Sequence, residues 1–274
     1  MKDVARAVGV STYTVSRALN GKKDISDGLR TKILAVAQQM GYVPNIAARG
    51  LQSGSTKTVA LVLDDLKNLY YNILLSKFTR KLSACGYHVT IYYEWDSISL
   101  LNGKLMQRVL SSNPDGIISF LCTDDSARSL NDVWKRPLVV IGAEETEMSA
   151  DNIYFDDFGG GEMITEYLFS QGCEKIGYIN ATSKLRPGVM RGKGYARALE
   201  KHGQPSDGSL VYNLEDEGFD VDEAVRRLVG KGVDAIFCFS DMTALDALSV
   251  LMKMGLEKKI RIAGWDNVTS EVNL

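Results

Sequence analysis

The spacing of apolar residues predicts short helices at the start of the chain. Apolar positions recur there at intervals of three and four over Asp3–Val8, over Thr12–Leu19 and again from Ser26 to Gly41. Ser11 and Ser26 stand where a hydroxyl can cap the second and third helices. Val15 and Leu19 are expected to face inward on the second helix. The apolar face predicted for the third helix consists of Leu29, Ile33, Val36, Ala37 and Met40.

Beyond residue 57 the pattern changes to apolar, β-rich runs that alternate with amphipathic stretches such as Ile73–Leu82. This alternation predicts parallel sheets with helices on both faces. The pattern restarts after about residue 157, which indicates two similar α/β lobes with a ligand cleft between them. The runs predicted as strands are Val59–Leu63, Val89–Tyr93, Gly116–Phe120, Leu138–Ile141, Lys175–Ile179, Leu210–Tyr212, Ala235–Phe239 and Ile260–Ala263.

A linker is predicted between these two regions. Pro44 imposes an extended backbone, and residues 53–56 read Ser-Gly-Ser-Thr, which is typical of a flexible connection. We therefore expect a head over residues 1–57 and a body over residues 58–274.

The charge of the chain is unevenly divided between these regions. The net charge is −2, but residues 1–57 contain nine Lys and Arg against three Asp and Glu, or +6, and the remainder is therefore −8. A basic head on an acidic body indicates a polyanionic partner for the head alone, although chance clustering is the alternative.

Composition also argues against several classes of protein. No apolar run approaches the roughly 18–20 residues of a membrane span, and the N-terminus lacks the apolar region of a signal peptide, so a cytoplasmic protein is expected. The chain has no G-x-G-x-x-G after a strand, no phosphate-loop lysine motif and no visible Ser/His/Asp set, which disfavours an enzyme.

Cysteine and histidine positions indicate neither a metal site nor a cofactor. His88 and His202 lie far apart in the sequence, at the predicted start of a strand and end of a helix. The cysteines form no C-x-x-C pair, and buried thiols are favoured over a disulfide or a metal site. These cysteines are Cys85, Cys122, Cys173 and Cys238.

Residues 3–20 read D-V-A-R-A-V-G-V-S-T-Y-T-V-S-R-A-L-N. This run closely resembles the head of the lactose repressor/galactose repressor (LacI/GalR) family, with the pattern D-V-A-x-x-A-G-V-S-x-x-T-V-S-R-x-L-N. Val8 replaces the usual alanine. The resemblance continues through the hinge-like residues 41–51 and the body, as far as Gly264-Trp265-Asp266-Asn267.

The resemblance implies an all-α helix-turn-helix head plus an α/β periplasmic-binding-protein-like core of two doubly wound parallel-sheet lobes. It implies a homodimeric transcriptional regulator, most often a repressor, that binds a palindromic operator in double-stranded DNA and needs no membrane. A small-molecule effector, a sugar or sugar derivative, would bind between the lobes and alter the order of the hinge helix and the operator affinity. Members of the family continue well past the G-W-D segment, so this sequence is expected to be part of a longer chain.

The predicted recognition helix has polar side chains at its N-terminal end, where a helix in the major groove meets base edges. We expect base contacts from Thr12, Tyr13, Ser16 and Arg17, with Arg17 bidentate to guanine or bound to phosphate. Phosphate contacts are expected from Ser11, Thr14 and Asn20. A solvated helix face is the alternative.

In the family, the residues that correspond to 45–53 form a hinge helix when two subunits pair on DNA. The resemblance therefore implies hinge contacts by Asn45, Ala48 and Leu51. Leu51 would wedge into the minor groove and kink the duplex. Without the resemblance, Leu51 reads as an ordinary apolar residue of a linker.

The resemblance also implies an effector pocket in the body. Aromatic rings such as Tyr70 and Tyr71 can stack on a sugar or a base, and charged groups orient a polyol by hydrogen bonds. Leu69 replaces the usual proline of this segment, and Ser240 replaces a usual asparagine. The alternative for the charged positions is a surface salt bridge. The implied effector contacts are Tyr70, Tyr71, Thr123, Asp156, Arg191, Ser240 and Asp266.

Two other functions remain to be weighed. An α/β enzyme that uses a nucleotide is disfavoured by the missing motifs, and a sugar-binding protein without DNA binding is disfavoured by the basic head.

Overall fold

The computed structural model describes residues 1–43, 54–63, 66, 68–93, 100–123, 125–142, 150–206, 208–268 and 270, without the side chains of 122, 123, 131 and 217. The chain divides into two compact units, Met1–Thr56 and Lys57–Leu274. No helix within the described ranges has the length and apolar character needed to cross a membrane.

The described residues of the first unit form three helices, α1 (Lys2–Val8), α2 (Thr12–Leu19) and α3 (Asp27–Gln39). The Ser11 hydroxyl accepts the Thr14 N–H at 3.1 Å and so begins α2, as predicted. Ser26 occupies the position before α3, but its side chain makes no capping hydrogen bond.

The core of this unit lies where the three helices meet. Val4, Val15 and Ile33 are essentially inaccessible to solvent, and Leu19 is partly buried beside them. The prediction that Met40 faces inward is wrong. Helix α3 ends at Gln39, and Met40 turns out of the apolar face and is 48% exposed.

The described residues of the second unit form two large parallel sheets and one two-stranded sheet. The first has the order β2-β1-β4-β6-β7, the second has the order β11-β10-β8-β9, and β3 pairs with β5. All of these pairings are parallel. The strands are β1 (Thr58–Leu63), β2 (His88–Tyr93), β3 (Leu100–Leu101), β4 (Gly116–Ser119), β5 (Cys122–Thr123), β6 (Leu138–Ile141), β7 (Asp151–Ile153), β8 (Ile176–Asn180), β9 (Val211–Asn213), β10 (Ala235–Cys238) and β11 (Arg261–Ala263).

Helices alternate with these strands and cover the sheets. The chain passes from the first lobe to the second between β7 and α7, where the sequence pattern restarts. The helices are α4 (Leu69–Ala84), α5 (Gly103–Ser111), α6 (Asp125–Trp134), α7 (Asp157–Ser170), α8 (Arg186–Lys201), α9 (Leu214–Glu217), α10 (Val221–Gly230) and α11 (Asp241–Met254).

All eight predicted strands are present, with ends that differ from the prediction by at most two residues. The strands β3, β5 and β7 were not predicted. They have two or three residues each, and β7 begins Asp-Asn, so neither an apolar run nor an alternation marks them.

Glycines let α7 and α8 approach each other closely. A Cβ atom on Gly194 of α8 would lie 2.1 Å from the Phe158 carbonyl oxygen and 2.6 Å from the Glu162 nitrogen. A Cβ on Gly161 of α7 would lie 2.3 Å from the Arg191 carbonyl oxygen. The two backbones are therefore in direct contact, and this contact brings Arg191 of α8 beside Asp157 of α7.

The cysteines differ in exposure. Cys173 and Cys238 are buried thiols, as predicted, but Cys85 is exposed and the prediction is wrong for it. Cys85 is the residue that follows the last turn of α4, in the short connection to β2. The side chain of Cys122 lies outside the described residues.

Candidate ligand-binding and DNA-binding sites

A cavity of about 1010 Å³ lies between the two lobes of the second unit. Several residues of its walls directly follow a strand, such as Phe120 after β4, Phe239 after β10 and Gly264 after β11. The carboxyl ends of parallel strands are the usual ligand-binding edge of such sheets. The cavity therefore occupies the place that the sequence pattern predicts for a ligand.

Arg191 is the buried cation of this cavity. Its Nε donates to Asp157 Oδ1 at 2.8 Å and its Nη1 donates to the Phe239 carbonyl oxygen at 2.7 Å. The two ionic side chains are 8% and 3% exposed, so the pair is almost dehydrated. Among the residues that the structure describes, no acceptor is bonded to Nη2, which leaves this nitrogen able to donate to a ligand.

Two aromatic rings hold the Arg191 guanidinium in place. Its Cζ lies 4.0 Å from the centroid of the Trp265 ring and 4.6 Å from that of Phe239. Such cation–π contacts are stronger where water is excluded. The far edge of Trp265 rests on Gly160, where a Cβ atom would lie 2.2 Å from the ring. The Arg191 side chain is thus held in place by the protein itself.

Asp266 lies beside this arginine in an unusual backbone conformation. Its φ is +91° and that of Asn267 is +55°, a region that non-glycine residues rarely adopt. Burial raises the pKa of Asp266 to about 6, while Arg191 acts to lower it and Asp241 and Asp157 act to raise it. Strained residues of this kind concentrate at functional sites.

The start of α11 ties the Asp266 loop to the second sheet. The Asp241 N–H donates to the Trp265 carbonyl oxygen at 2.8 Å, and the Asp241 carboxylate accepts the Val268 N–H at 2.7 Å. Ser240 caps the helix, because its hydroxyl accepts the Thr243 N–H at 3.2 Å. Burial raises the pKa of Asp241 as well.

The first lobe contributes aromatic side chains to the opposite wall. Tyr70 and Tyr71 have ring centroids 5.5 Å apart, and Tyr71 meets Phe120 edge-on at the same distance. Asn68 begins α4 by accepting the Tyr70 N–H at 3.0 Å and thereby sets where both tyrosines point. Burial raises the pKa of the Tyr70 hydroxyl, with Asp266 as the next contribution.

The structure brings together most of the predicted effector residues. Those that line the cavity are Tyr70, Tyr71, Arg191, Ser240 and Asp266.

Thr123 and Asp156 are placed differently. Asp156 is exposed, is not among the residues that line the cavity, and caps α7 by accepting the Gly159 N–H at 2.8 Å. Its neighbour Asp157 points inward to Arg191, and sequence reasoning missed it. Thr123 pairs with Leu101 in the short β3–β5 sheet, and its side chain is outside the described residues.

The polar end of α2 lies at the surface of the first unit. Tyr13 is 67% exposed and Thr12 is also exposed, whereas Ser16 is partly buried. Arg17 bonds to the Tyr13 hydroxyl at 2.9 Å and to Asp24 at 2.5 Å. All four residues predicted to face base edges therefore belong to one short helix, with Tyr13 projecting furthest.

The residues predicted to contact phosphate lie at the two caps of this helix, Ser11 and Asn20, and in its first turn, Thr14. The hydroxyls of Ser11 and Thr14 are 2.9 Å apart, and Asn20, which ends α2, donates to the Ser16 hydroxyl at 3.5 Å. The predicted hinge contacts Asn45, Ala48 and Leu51 lie outside the described residues.

One histidine, His202, has side-chain partners that fix it in the structure. His202, at the end of α8, is hydrogen-bonded to Glu166 at 2.7 Å and is stacked on Phe169. Within the described ranges, no group of His, Cys, Asp and Glu side chains is arranged to hold a metal ion.

Two known families match the chain, and the boundary between the two matches falls in the region predicted as a linker. The family described as bacterial regulatory proteins, lacI family, matches residues 1–45. The family described as periplasmic binding proteins and sugar binding domain of LacI family matches residues 56–273.

Known relatives align over nearly the whole chain. The transcriptional regulator DegA of Bacillus subtilis is 30% identical over 97% of this chain and 80% of its own length. The ribose operon repressor of Haemophilus influenzae is 28% identical over 98% of this chain and 82% of its own length.

Solved structures show the same fold. A LacI-family regulator from Silicibacter pomeroyi superposes with a TM-score of 0.80 at 24% identity, over all of this chain and 84% of the other. The lac repressor dimer bound to operator and an anti-inducer superposes with a TM-score of 0.78 at 18% identity, over 97% of this chain and 81% of the other. The regulator CelR in complex with cellobiose superposes with a TM-score of 0.63 at 27% identity, over 96% of this chain and 81% of the other.

Proposed function

Because this chain belongs to the LacI family of transcription regulators, and is not an enzyme, we propose that it is a cytoplasmic repressor that acts as a homodimer. Its head binds a palindromic operator in double-stranded DNA, and a sugar-like effector in the cavity between the lobes changes the affinity for that operator. The observation that carries this proposal is the preformed cavity around Arg191 and Asp266, in a chain that also contains a basic helix-turn-helix head.

A neutral polyol suits the chemistry of this cavity. Arg191 and Asp266 supply a hydrogen-bond donor and an acceptor, and Trp265 and Tyr71 supply flat apolar faces on which a sugar ring can rest. The charge of Arg191 is already balanced by Asp157, and Asp241 and Asp266 add further carboxylates. This excess of acidic groups disfavours phosphorylated or acidic sugars.

The cavity also provides the physical basis for regulation. Its walls come from both lobes, so a ligand that contacts Tyr71 on one side and Arg191 on the other stabilises a particular separation of the lobes. The effector shifts operator binding only by its difference in affinity for the two lobe arrangements. We propose that this arrangement controls the hinge contacts of Asn45, Ala48 and Leu51.

The apolar surface of one helix in the first lobe is an argument for the proposed homodimer. α4 carries apolar side chains along most of its length, yet none of its residues is buried in the single chain. Partly buried apolar residues there include Leu75 and Phe78, and Ile91 on the adjoining strand β2 is 41% exposed. A second subunit packed on this face would bury them, and pairing is what presents two heads to two half-sites.

DNA binding by the intact protein is expected to fall steeply with salt. A head that releases counterions from six to ten phosphates loses about 10³- to 10⁵-fold in affinity between 50 and 200 mM salt. The measurement is duplex binding across this range, with palindromic and scrambled sites, and with ribose or cellobiose added. A flat salt dependence, or equal affinity for palindromic and scrambled duplexes, would contradict the proposed function.

Sugar affinity is expected to depend on the protonation of Asp266. Hydroxyl groups of a polyol donate to the charged carboxylate, whose pKa in the unliganded protein is about 6. Binding therefore favours the deprotonated form, so the affinity should be constant above pH 7 and about tenfold lower at pH 5. Calorimetry at several pH values tests this with any sugar that the wild type binds.

The Asp266→Asn variant is the control for this pH dependence. An amide of the same shape cannot titrate, so its weaker binding should not change between pH 5 and 7. If the variant kept the wild-type slope, another group would be responsible and the role of Asp266 would be wrong.

A further inference from the structure

The turn between α2 and α3 places an acidic side chain against the recognition helix. Asp24 Oδ2 accepts a hydrogen bond from the Nε of Arg17 at 2.5 Å. The Nη1 of Arg17 donates to the Tyr13 hydroxyl at 2.9 Å, and the guanidinium carbon lies 5.3 Å from the centre of the Tyr13 ring. Arg17 is thus held at two of its nitrogens and beside one aromatic ring.

These contacts leave one edge of the guanidinium available. Arginine has five N–H donors in a planar fork, and the bonds to Asp24 and Tyr13 use one on Nε and one on Nη1. The donors that remain are on Nη1 and Nη2, and this edge has the geometry that binds the O6 and N7 atoms of guanine. A long side chain that is held in this way loses less rotamer freedom when it meets a base.

Asp24 also changes how the head meets a phosphate backbone. The hydrogen bond from Arg17 is the main cause that lowers the pKa of Asp24, so the carboxylate is charged at neutral pH. The side chain of Asp24 is 51% exposed and that of Arg17 is 30% exposed, so both remain near the surface that would face DNA. A negative charge at this position weakens the attraction of Arg17 for phosphate, which carries no sequence information.

We infer that Asp24 is a positioning residue that directs Arg17 to a base edge, and so increases the discrimination between operator and non-specific DNA. The inference rests on the proposed function, in which Arg17 reads a base. In this role Asp24 has two opposite effects. It strengthens recognition of a particular base pair, and it weakens sequence-independent binding to DNA.

The Asp24→Asn variant separates these two effects. The full-length wild type first selects duplexes from a pool of palindromes with randomised half-sites, and binding of each variant is then measured on the selected duplex, on its single-base-pair changes and on poly(dI-dC). We expect Asp24→Asn to lose at least about fivefold of the discrimination at one symmetric base pair. Its affinity for poly(dI-dC) should be equal or higher, because one negative charge is gone.

A matched variant controls for the change in charge. Asp3 lies in the same head, is well exposed and pairs with Arg6 at 3.8 Å. Asp3→Asn should raise the affinity for poly(dI-dC) but keep the preference for every base pair. In an Arg17→Ala background, Asp24→Asn should have no further effect on discrimination at the affected base pair.

The outcomes distinguish this inference from the proposed function. If the wild type selects a sequence and Asp24→Asn keeps its full discrimination, the positioning role of Asp24 is overturned while the proposed function stands. If Asp24→Asn lowers binding to both kinds of duplex and the head melts early by circular dichroism, Asp24 serves folding and the inference is overturned. If the wild type selects no sequence, the proposed function fails and the role of Asp24 fails with it.

Discussion

Replacing Arg191 with methionine is expected to lower the free energy of unfolding of the second unit by about 3–5 kcal/mol. Methionine fills similar space but leaves the Asp157 carboxylate, which is 3% exposed, without its ionic partner. It also removes the bond to the Phe239 carbonyl oxygen and the contact with the Trp265 ring. Urea unfolding followed by circular dichroism measures the change.

Two further variants test whether the unpaired buried charge causes this loss of stability. The double variant Asp157→Asn with Arg191→Met should be more stable than Arg191→Met alone, because no unpaired charge remains in the interior. Arg197→Met on the same helix breaks only an exposed pair with Glu200 and should cost at most about 1 kcal/mol. Equal losses for Arg191→Met and Arg197→Met would contradict the explanation.

Replacing Gly194 with alanine is expected to cost about 3 kcal/mol or more, and to abolish sugar binding. The added methyl would meet backbone atoms of α7, at 2.1 Å from the Phe158 oxygen, and a backbone atom cannot rotate away as a side chain can. α8 would have to move, and with it Arg191, which belongs to the cavity. Thermal unfolding and calorimetry with a sugar that binds the wild type measure the two effects.

Gly230 provides the matched control for this substitution. It is the last residue of α10 in the same lobe, and a Cβ atom there meets nothing within 4 Å. Gly230→Ala should therefore be neutral or stabilise the protein by about 0.5–1 kcal/mol, since alanine restricts the unfolded chain. A Gly194→Ala protein as stable as Gly230→Ala would show that the two helices can separate at no cost.

Local patterns predicted the secondary structure because each depends on residues close in the sequence. Helix α2 begins after Ser11 and ends at Leu19 as predicted, since a capping hydroxyl and an apolar face are properties of nine neighbouring residues. The strand Leu138–Ile141 was predicted to the residue because Pro137 and Gly142 bound the apolar run at its two ends. The strands of two or three residues are too short to have such a pattern.

Local patterns could not decide which of two adjacent acidic side chains is buried. Asp156 and Asp157 are both acidic and both stand at the start of α7, and the family resemblance implied Asp156 as the effector contact. Residues one position apart on a helix point about 100° apart, so only the seating of α7 on α8 decides which carboxylate is buried. It buries Asp157 and leaves Asp156 to cap the helix.

By itself, the sequence determined the succession of helices and strands, the basic head, and most of the residues expected at each surface. The tertiary structure decided how these residues act together, since Arg191, Asp157 and Trp265 come from widely separated segments and meet only after the sheet has formed. Arg17 and Asp24 stand seven positions apart in the sequence, and they also meet only because the chain turns between α2 and α3. Burial, ion pairing and backbone contact depend on distances in space, and periodicity along a chain does not encode them.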